Sequence, residues 1–408
     1  MIYLRDLGLR SIGLAGAFML TLAMCQHGNS VHAGGPVESP GGPYRVLAPI
    51  QSGSLLLFPV VRIAGKSPSE TPFITLDEGI RSGEVQITEA GRVQGLVRPR
   101  MGRPYPPFPG PRFRGDQVNT LVLVNNSNKP LLLLAGEIVT GGKQDRVIAK
   151  DRIVPVGADP IDLSVFCIEP GRWTESSATF GAASKAPSQG FMVQPAVRER
   201  TMVDKDQQQV WNSVHGAIAS MAEAAAPRIG TGDAQSPISA GVTSYAKVMQ
   251  SNVVSQKVDE AAAPAIKARE DVLARLREHH AIGVVVAVRG EIIWADLFAN
   301  TDLLARYWTK LVRSYAAESF TDRGDRPAPS IAEAQHFLDL PTTGTETSEG
   351  AVDIYRYREL KAGNAETFIL ESFLPGTGYD VHISKMKLRG QDRSNFRPHP
   401  INDLRIDR

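Results

Sequence analysis

Between Gly136 and Arg152 the chain reads GEIVTGGKQDRVIAKDR, directly after the apolar run Leu131 to Leu134. Glycines, a lysine and charges of both signs in so short a span could serve a phosphate cradle, an acid/base centre or a polar ligand site. The cradle fails on spacing. A P-loop needs G-x-x-x-x-G-K-[ST], so that backbone N–H groups wrap the phosphates, the lysine reaches the terminal ones and the hydroxyl holds magnesium. Counting from Gly136, the second glycine is Gly141, and Gly142 stands where lysine is required. Taking Gly142 and Lys143 instead makes the spacing one residue too long. Gln144 replaces the hydroxyl in either register, and the β-branched RVI that follows predicts a strand where a P-loop needs a helix.

What remains is a hairpin whose Gly141–Gly142 makes the turn. Leu131 to Val139 and Arg146 to Val154 are expected to pair antiparallel across it, with Glu137 and Val139 on one side and Gly136 and Ile138 on the other. Glu137 leaves a run of four leucines, so it needs a partner, because an unpaired buried carboxylate is expensive. Arg146, Arg152 and Arg172 are the basic candidates. As a ligand site, the hairpin would offer Glu137, Lys143, Gln144, Asp145 and Arg146, joined by Arg172 and Trp173 from the segment VFCIEPGRW. As a structural hairpin, it would carry only solvated ion pairs worth about 0 to 1 kcal/mol each. An enzyme would use Glu137 or Asp145 as acid/base, and would bring them with Arg172 and Asp296 into one concave pocket.

Other reactive types give less. Cys167 stands between Phe166 and Ile168, the surroundings of a buried strand thiol and not of an activated nucleophile. His215, His279, His280, His336, His382 and His399 show no zinc spacing to another ligand, and no H-E-x-x-H, G-x-S-x-G or EF-hand pattern occurs. No metal site or cofactor is expected on this basis, and no catalytic residue is identified.

The ends set the compartment. Arg5 and Arg10 precede the uncharged stretch Ser11 to Met24, and Val31-His32-Ala33 offers a small-residue cleavage site before Gly34. This is the pattern of a secretory signal peptide over residues 1–33, with an apolar core shorter than the roughly 20 residues of a membrane span. LAMC at Leu22 to Cys25 resembles a bacterial lipoprotein box, although Met24 sits where a small residue belongs; a lipid anchor on Cys25 is the second reading. Both readings export the protein, to the periplasm or beyond. With two cysteines in all, removal of the leader leaves Cys167 alone, so the exported domain must be held by its core. The 45 basic and 43 acidic residues nearly cancel, so nothing calls for nucleic acid or an anionic surface as partner.

The elements that must position these residues alternate between two periods. A flexible lead-in is expected at 34–45. Strands follow at Ser54 to Ile63, in TPFITLDEGI, in GEVQITEAG, at Val118 to Val124, at Leu131 to Leu134, in RVIAKDRIVPV and in IDLSVFCIE. Residues 92–116 hold six prolines and six arginines, an excursion and not an element. TESSATFGAASKAPSQG reads as a loop. Helices are expected from a cap at Asp204, on both sides of Pro264, from a cap at Asp302, and in SIAEAQHFLDL. A hairpin turns at Arg289–Gly290, three strands close the fold, and 391–408 reads as a charged tail. Without βαβ units, the expected class is α+β with a largely antiparallel sheet, one domain over 46–390.

Several segments also stand in a recognisable order. NKPLLLLAGEIVTGGKQDRVI, VFCIEPGRW, GVVVAVRGEIIWADLF, LLARYWTKLVRSYAAES and VHIS together resemble the ARG and rhodanese-phosphatase-superfamily-associated protein domain, where ARG stands for ADP-ribosylglycohydrolase. The likeness runs from about Val46 to Ser384 and implies one family-sized domain, with residues 92–116 as an insertion against the family pattern. It names no reaction and carries no catalytic residue over to this chain. The expected function is therefore an exported binding or interaction domain for a small polar ligand or a protein, with no membrane span in the mature chain. The alternative is a hydrolase-like enzyme on a polar or phosphorylated sugar or nucleotide-type substrate.

Overall fold

The computed structural model describes residues 42–65, 67–89, 92, 96, 120–172, 174–183, 190–226, 242–266, 274, 276–321 and 326–388. The expected leader, the charged tail, Trp173 and nearly all of the 92–116 excursion lie outside these. The first half supplies β1 (Tyr44–Val46), β2 (Ile50–Ser52), β3 (Leu55–Arg62), β4 (Ile74–Thr75), α1 (Leu76–Arg81), β5 (Val85–Glu89), β6 (Thr120–Asn125), β7 (Leu131–Leu133), β8 (Ile138–Thr140), β9 (Arg146–Ile148), β10 (Arg152–Val154), β11 (Ile161–Cys167) and β12 (Thr179–Ala182). Helices follow: α2 (Pro195–Glu199), running into a π-turn at Arg200–Asp204, then α3 (Gln207–Ala225), α4 (Tyr245–Gln250) and α5 (Asn252–Ile266). The chain closes with β13 (Ala281–Val288), β14 (Glu291–Phe298), α6 (Thr301–Glu318), α7 (Ile331–Asp339), β15 (Thr345–Ala351), β16 (Tyr355–Ala362), β17 (Ala365–Ser372) and β18 (Tyr379–Lys387).

The result is α+β in one domain, as expected, built from three β systems. A nine-stranded antiparallel sheet runs β1-β3-β13-β14-β18-β17-β16-β15, with β2 also on β3. Strands β11-β6-β5-β12-β8-β9 close into a barrel, and a small sheet β10-β7-β4 lies beside it. The four-leucine run explains how they join. Leu131 and Leu133 enter the barrel core, whereas Leu132 and Leu134 enter the main core. Alternate side chains of a strand point to opposite faces, so a strand shared by two cores must be apolar on both. Helix α6 shows the same logic: from Leu303 to Glu318 only Arg306 and Thr309 are not buried. Leu303, Leu304, Tyr307, Trp308, Leu311 and Tyr315 fall on one stripe at helical spacing, yet the helix is central and buried well beyond that stripe. Among the described residues no helix is long and apolar enough to cross a membrane.

Several local expectations need correction. The sheet begins at Tyr44, inside the expected lead-in, because β1 pairs with the far end of β3. TPFITLDEGI holds only a two-residue strand and then α1, opened by a capping box in which Glu78 N–H donates to Thr75 and Thr75 N–H to Glu78. That T-x-x-E signature was present in the sequence and outweighs the apolar run before it. The polar stretch after Trp173 contains β12, which the barrel needs to close. Asp206, not Asp204, caps α3, and Asn300, not Asp302, caps α6; in each case the side chain one step outside the helix reaches the N3 amide. Four strands close the fold, not three, because TETSEGA pairs along β16. The hairpin at Arg289–Gly290 stands as read, with both residues at positive φ, 49° and 80°.

Candidate functional site

The segment from Gly136 to Arg152 forms two nested pairings. β8 pairs with β9, Ile138 opposite Val147, and β7 pairs with β10, Leu133 opposite Arg152. The expected antiparallel order holds, but Leu131 to Val139 is not one strand. Gly136 turns the chain at φ +93°, and a Cβ there would lie 2.6 Å from Cγ of Arg198. The turn breaks the alternation. Val139 faces the barrel core, while Glu137 reaches the main core and meets Lys310 of α6.

The hairpin tip is clamped from outside. Arg172 donates through Nε to Glu169 at 2.6 Å, through one terminal nitrogen to the carbonyls of Gly142 at 2.8 Å and Thr174 at 2.9 Å, and through the other to Asp145 at 3.3 Å. Asp145 also accepts from Ser244 Oγ at 3.0 Å and from Gly141 N–H at 3.2 Å. Burial, then the nearby Glu169, push the Asp145 carboxyl upward. Arg146 and Gln144 are fully buried; an Arg146 terminal nitrogen donates to the Gln144 carbonyl at 2.5 Å, and the Gln144 side-chain amide has no hydrogen-bond partner among the described residues. Lys143 is half-buried, and its backbone N–H donates to Glu89 at 3.0 Å. The geometry thus gives Arg172 the work of closing a loop, with its guanidinium fork turned on protein groups.

Glu137 is 1 % exposed. Its partner is Lys310, at 2.7 Å, and not Arg146, Arg152 or Arg172; Lys310 also meets Asp77 of α1 at 2.6 Å. The second Glu137 oxygen accepts from Leu134 N–H at 2.8 Å. Burial raises the Glu137 carboxyl in spite of the lysine. Burial alone would lower Lys310, but Glu137 and Asp77 carry it above its ordinary value. The group is a strut between barrel and central helix. Glu137→Gln is expected to destabilise by about 1 to 3 kcal/mol, because it weakens a charged hydrogen bond in a dry site. Lys143→Ala should be nearly silent in the same thermal melts, and a reversed order would return the ligand role to the hairpin.

A second buried chain of charge runs alongside. His382 Nδ1 lies 2.6 Å from Asp151, and His382 Nε2 lies 3.2 Å from Asp296, near enough for ion pairing but off the hydrogen-bond axis. Asp296 accepts from Arg198 at 2.9 and 3.2 Å, from Ser384 at 2.5 Å and from the Tyr315 hydroxyl. Asp151 accepts from Ala135 N–H at 2.7 Å, and the Arg198 guanidinium lies 4.5 Å from the Trp294 ring centre. Arg198, Asp296, Asp151 and His382 are each wholly buried. Burial alone would raise Asp296, but Arg198, then His382, hold it well below the usual carboxylate range. Burial alone would lower His382, but Asp151 and then Asp296 bring it up to about 9.

The four groups whose convergence would mark an enzyme therefore divide among three places. Asp145 and Arg172 meet at the hairpin tip, Glu137 belongs to the Lys310 strut, and Asp296 to the Arg198 chain. None lines the cleft that does open nearby, of about 430 Å³, at the other end of the hairpin beside Ala149 and Lys150. The signal for the buried chains was in the sequence: Asp296 within IIWADLF, His382 within DVHIS, Lys310 and Arg313 within YWTKLVRSY. A charge inside an otherwise apolar strand or helix must be paired to be buried. Only the partners were hidden.

Cys167 is buried at the end of β11, 2 % exposed, as read. Burial pushes its thiol up, only partly offset by Arg146. Thiol reagents should label it only after denaturant is added, and Cys167→Ala should cost on the order of 1 kcal/mol; rapid labelling of the native chain would contradict this. Among the described residues no group of three or more His, Cys, Asp or Glu is placed to hold a metal ion.

The model of the ARG and Rhodanese-Phosphatase-superfamily-associated Protein domain covers residues 43–386. No curated protein and no solved structure matches the chain.

Proposed function

Since the chain belongs to this family, whose name records an association and no reaction, we propose that it works as an exported, non-catalytic binding domain. Its polar ligand site adjoins the 136–152 hairpin at the Lys150 end. One observation carries this reading. Glu137 and Asp145, the acids an enzyme would use, are buried and spent on Lys310 and on Arg172 and Ser244, whereas the cleft beside Lys150 is lined by neither. An acid/base group must come within hydrogen-bond reach of the proton it moves. The hairpin instead contributes Ala149 and Lys150 to the lining of a cleft beside it. Export rests on the leader pattern at residues 1–33.

A thermal-shift screen on the processed chain tests the binding reading: a ligand at 100 times its dissociation constant should add about 2.7 kcal/mol of stability. Turnover of any ligand so found, lost in Asp145→Asn at unchanged melting temperature, would overturn the non-catalytic reading in favour of the hydrolase-like alternative. Mass spectrometry of the exported chain should find Gly34 at its N-terminus; an intact Met1, or a lipid on Cys25, would refute cleavage after Ala33.

A further inference from the structure

We infer that the cleft beside Lys150 takes an uncharged, polyhydroxylated ligand of about one or two sugar rings, an inference that rests on the binding-domain reading above. The cleft separates two bodies. One wall is the outer face of barrel strand β11, where Asp162, Ser164 and Phe166 alternate with the core residues Leu163 and Val165. The opposite wall is the edge of the large sheet, with Glu349 on β15 directly across from Tyr357 on β16. The π-turn Arg200–Asp204 brings Met202 to the cleft and ends at Lys205 in left-handed conformation, φ 52° and ψ 32°. π-turns and non-glycine residues at positive φ are rare, and both concentrate at functional sites. Here the two together aim Lys205 across the cleft.

Charge decides the ligand class. Lys150 meets Glu349 at 2.5 Å, and Lys205 meets both oxygens of Glu359, at 2.6 and 2.7 Å. Each ammonium is thus answered by a carboxylate from the facing wall, and Asp162 adds a third acid. A phosphate or carboxylate would have to break a lysine–glutamate pair and sit beside the released acid, so the phosphorylated substrates expected of a hydrolase do not fit. The groups left over are short-range and neutral. Tyr357 is 1 % exposed, lines the cleft, and its hydroxyl has no hydrogen-bond partner among the described residues. Ser164 presents a second hydroxyl from an exposed position. The glutamates and Asp162 keep acceptor lone pairs. Hydroxyls, which donate and accept at once, match such a mixed set, and the partly exposed Phe166 offers apolar surface to the C–H face of a ring. The volume lies within the range of small-molecule sites.

The test is calorimetric titration of the purified chain with glucose, N-acetylglucosamine, maltose and cellobiose. Glucose 6-phosphate and inorganic phosphate form the anionic arm, and glucosamine the cationic arm. At least one neutral sugar should bind, and more tightly than any charged probe. Ser164→Tyr, which fills the cleft from an exposed position, should abolish that binding and leave the melting temperature of the free chain unchanged. Tyr357→Phe should weaken it about threefold to tenfold, the loss of one neutral hydrogen bond. No binding by any neutral sugar, tighter binding of a charged probe, or neutral binding that survives Ser164→Tyr would each overturn the inference. The two readings fail separately. Hydrolysis of bound maltose or cellobiose would support the ligand class while sinking the non-catalytic reading. A phosphate held in the cleft and released by Ser164→Tyr would sink the ligand class alone.

Discussion

Arg198→Ala is expected to cost about 3 to 5 kcal/mol, since it leaves Asp296 buried without its main counter-charge. Arg198 makes two hydrogen bonds to Asp296, at 2.9 and 3.2 Å, and one to Ser384 at 3.2 Å, with no solvent at either end. Its stem packs against Gly136, where no Cβ fits, and its guanidinium sits over Trp294. Alanine therefore removes a charge partner and opens a cavity in the same place. Asp296 would keep His382, Tyr315 and Ser384, which is why the loss is large but not the whole of a typical domain stability of about 5 to 15 kcal/mol. Equilibrium urea denaturation of Arg198→Ala, Asp296→Asn and the double variant measures the pair directly. A single-variant loss below about 1 kcal/mol, or additive losses in the double variant, would show that the pair does not act as a buried unit.

Stability should fall as pH rises from about 6.5 to 9, by about 3 kcal/mol in total, because of His382. Its imidazole is raised from 6.5 to about 9 in the folded chain. Below 6.5 both folded and unfolded chains hold the proton, and its stabilisation is fully present. Between the two values only the folded chain binds it, so each added pH unit costs about 1.4 kcal/mol. Above 9 both have lost it, and Asp151 and Asp296 face a neutral ring. Other groups add slopes of their own. Burial pulls Lys385 down to about 8, so above that pH the unfolded chain binds the extra proton, and the lysine term raises stability with pH. Glu137, raised by burial, slopes the same way as His382. The His382 contribution is therefore read below pH 8, as the difference between the native chain and His382→Gln, in which slopes shared by the two chains cancel. Should that variant not fold, the His382 ring resonances of the native chain give the same answer: the imidazole stays protonated at pH 8. A flat stability profile, or a ring titrating near 6.5, would refute the charged chain.

Local signals were legible because their physics is local. The hairpin at Arg289–Gly290 needs two residues that tolerate positive φ. The capping boxes at Thr75–Glu78 and Ser330–Glu333 need only a hydroxyl and a carboxylate three apart, a local signal that the strand reading of TPFITLDEGI passed over. The burial of Cys167 follows from its apolar strand neighbours. Two readings failed because a longer-range demand had overridden them: β12 looks like a polar loop but is the strand that closes the barrel, and α6 looks amphipathic but is covered on all sides by sheet, barrel and α5.

The candidate site divides along the same line. That Glu137 must be paired was readable from four leucines before it, since a buried carboxylate needs a counter-charge wherever it lies. Its partner was not readable. Lys310 is 173 residues away, Asp296 is 98 from Arg198, and His382 is 231 from Asp151. Periodicity reports contacts a few residues apart along a helix or strand, and says nothing about which two charges a closed barrel and a nine-stranded sheet will press together. The sequence by itself therefore determined the α+β class, the family and the presence of a polar hairpin. Tertiary structure alone decided that Glu137, Asp145 and Asp151 are paired within the protein, and that a cleft opens at the hairpin's other end, between walls that meet only when the fold is complete.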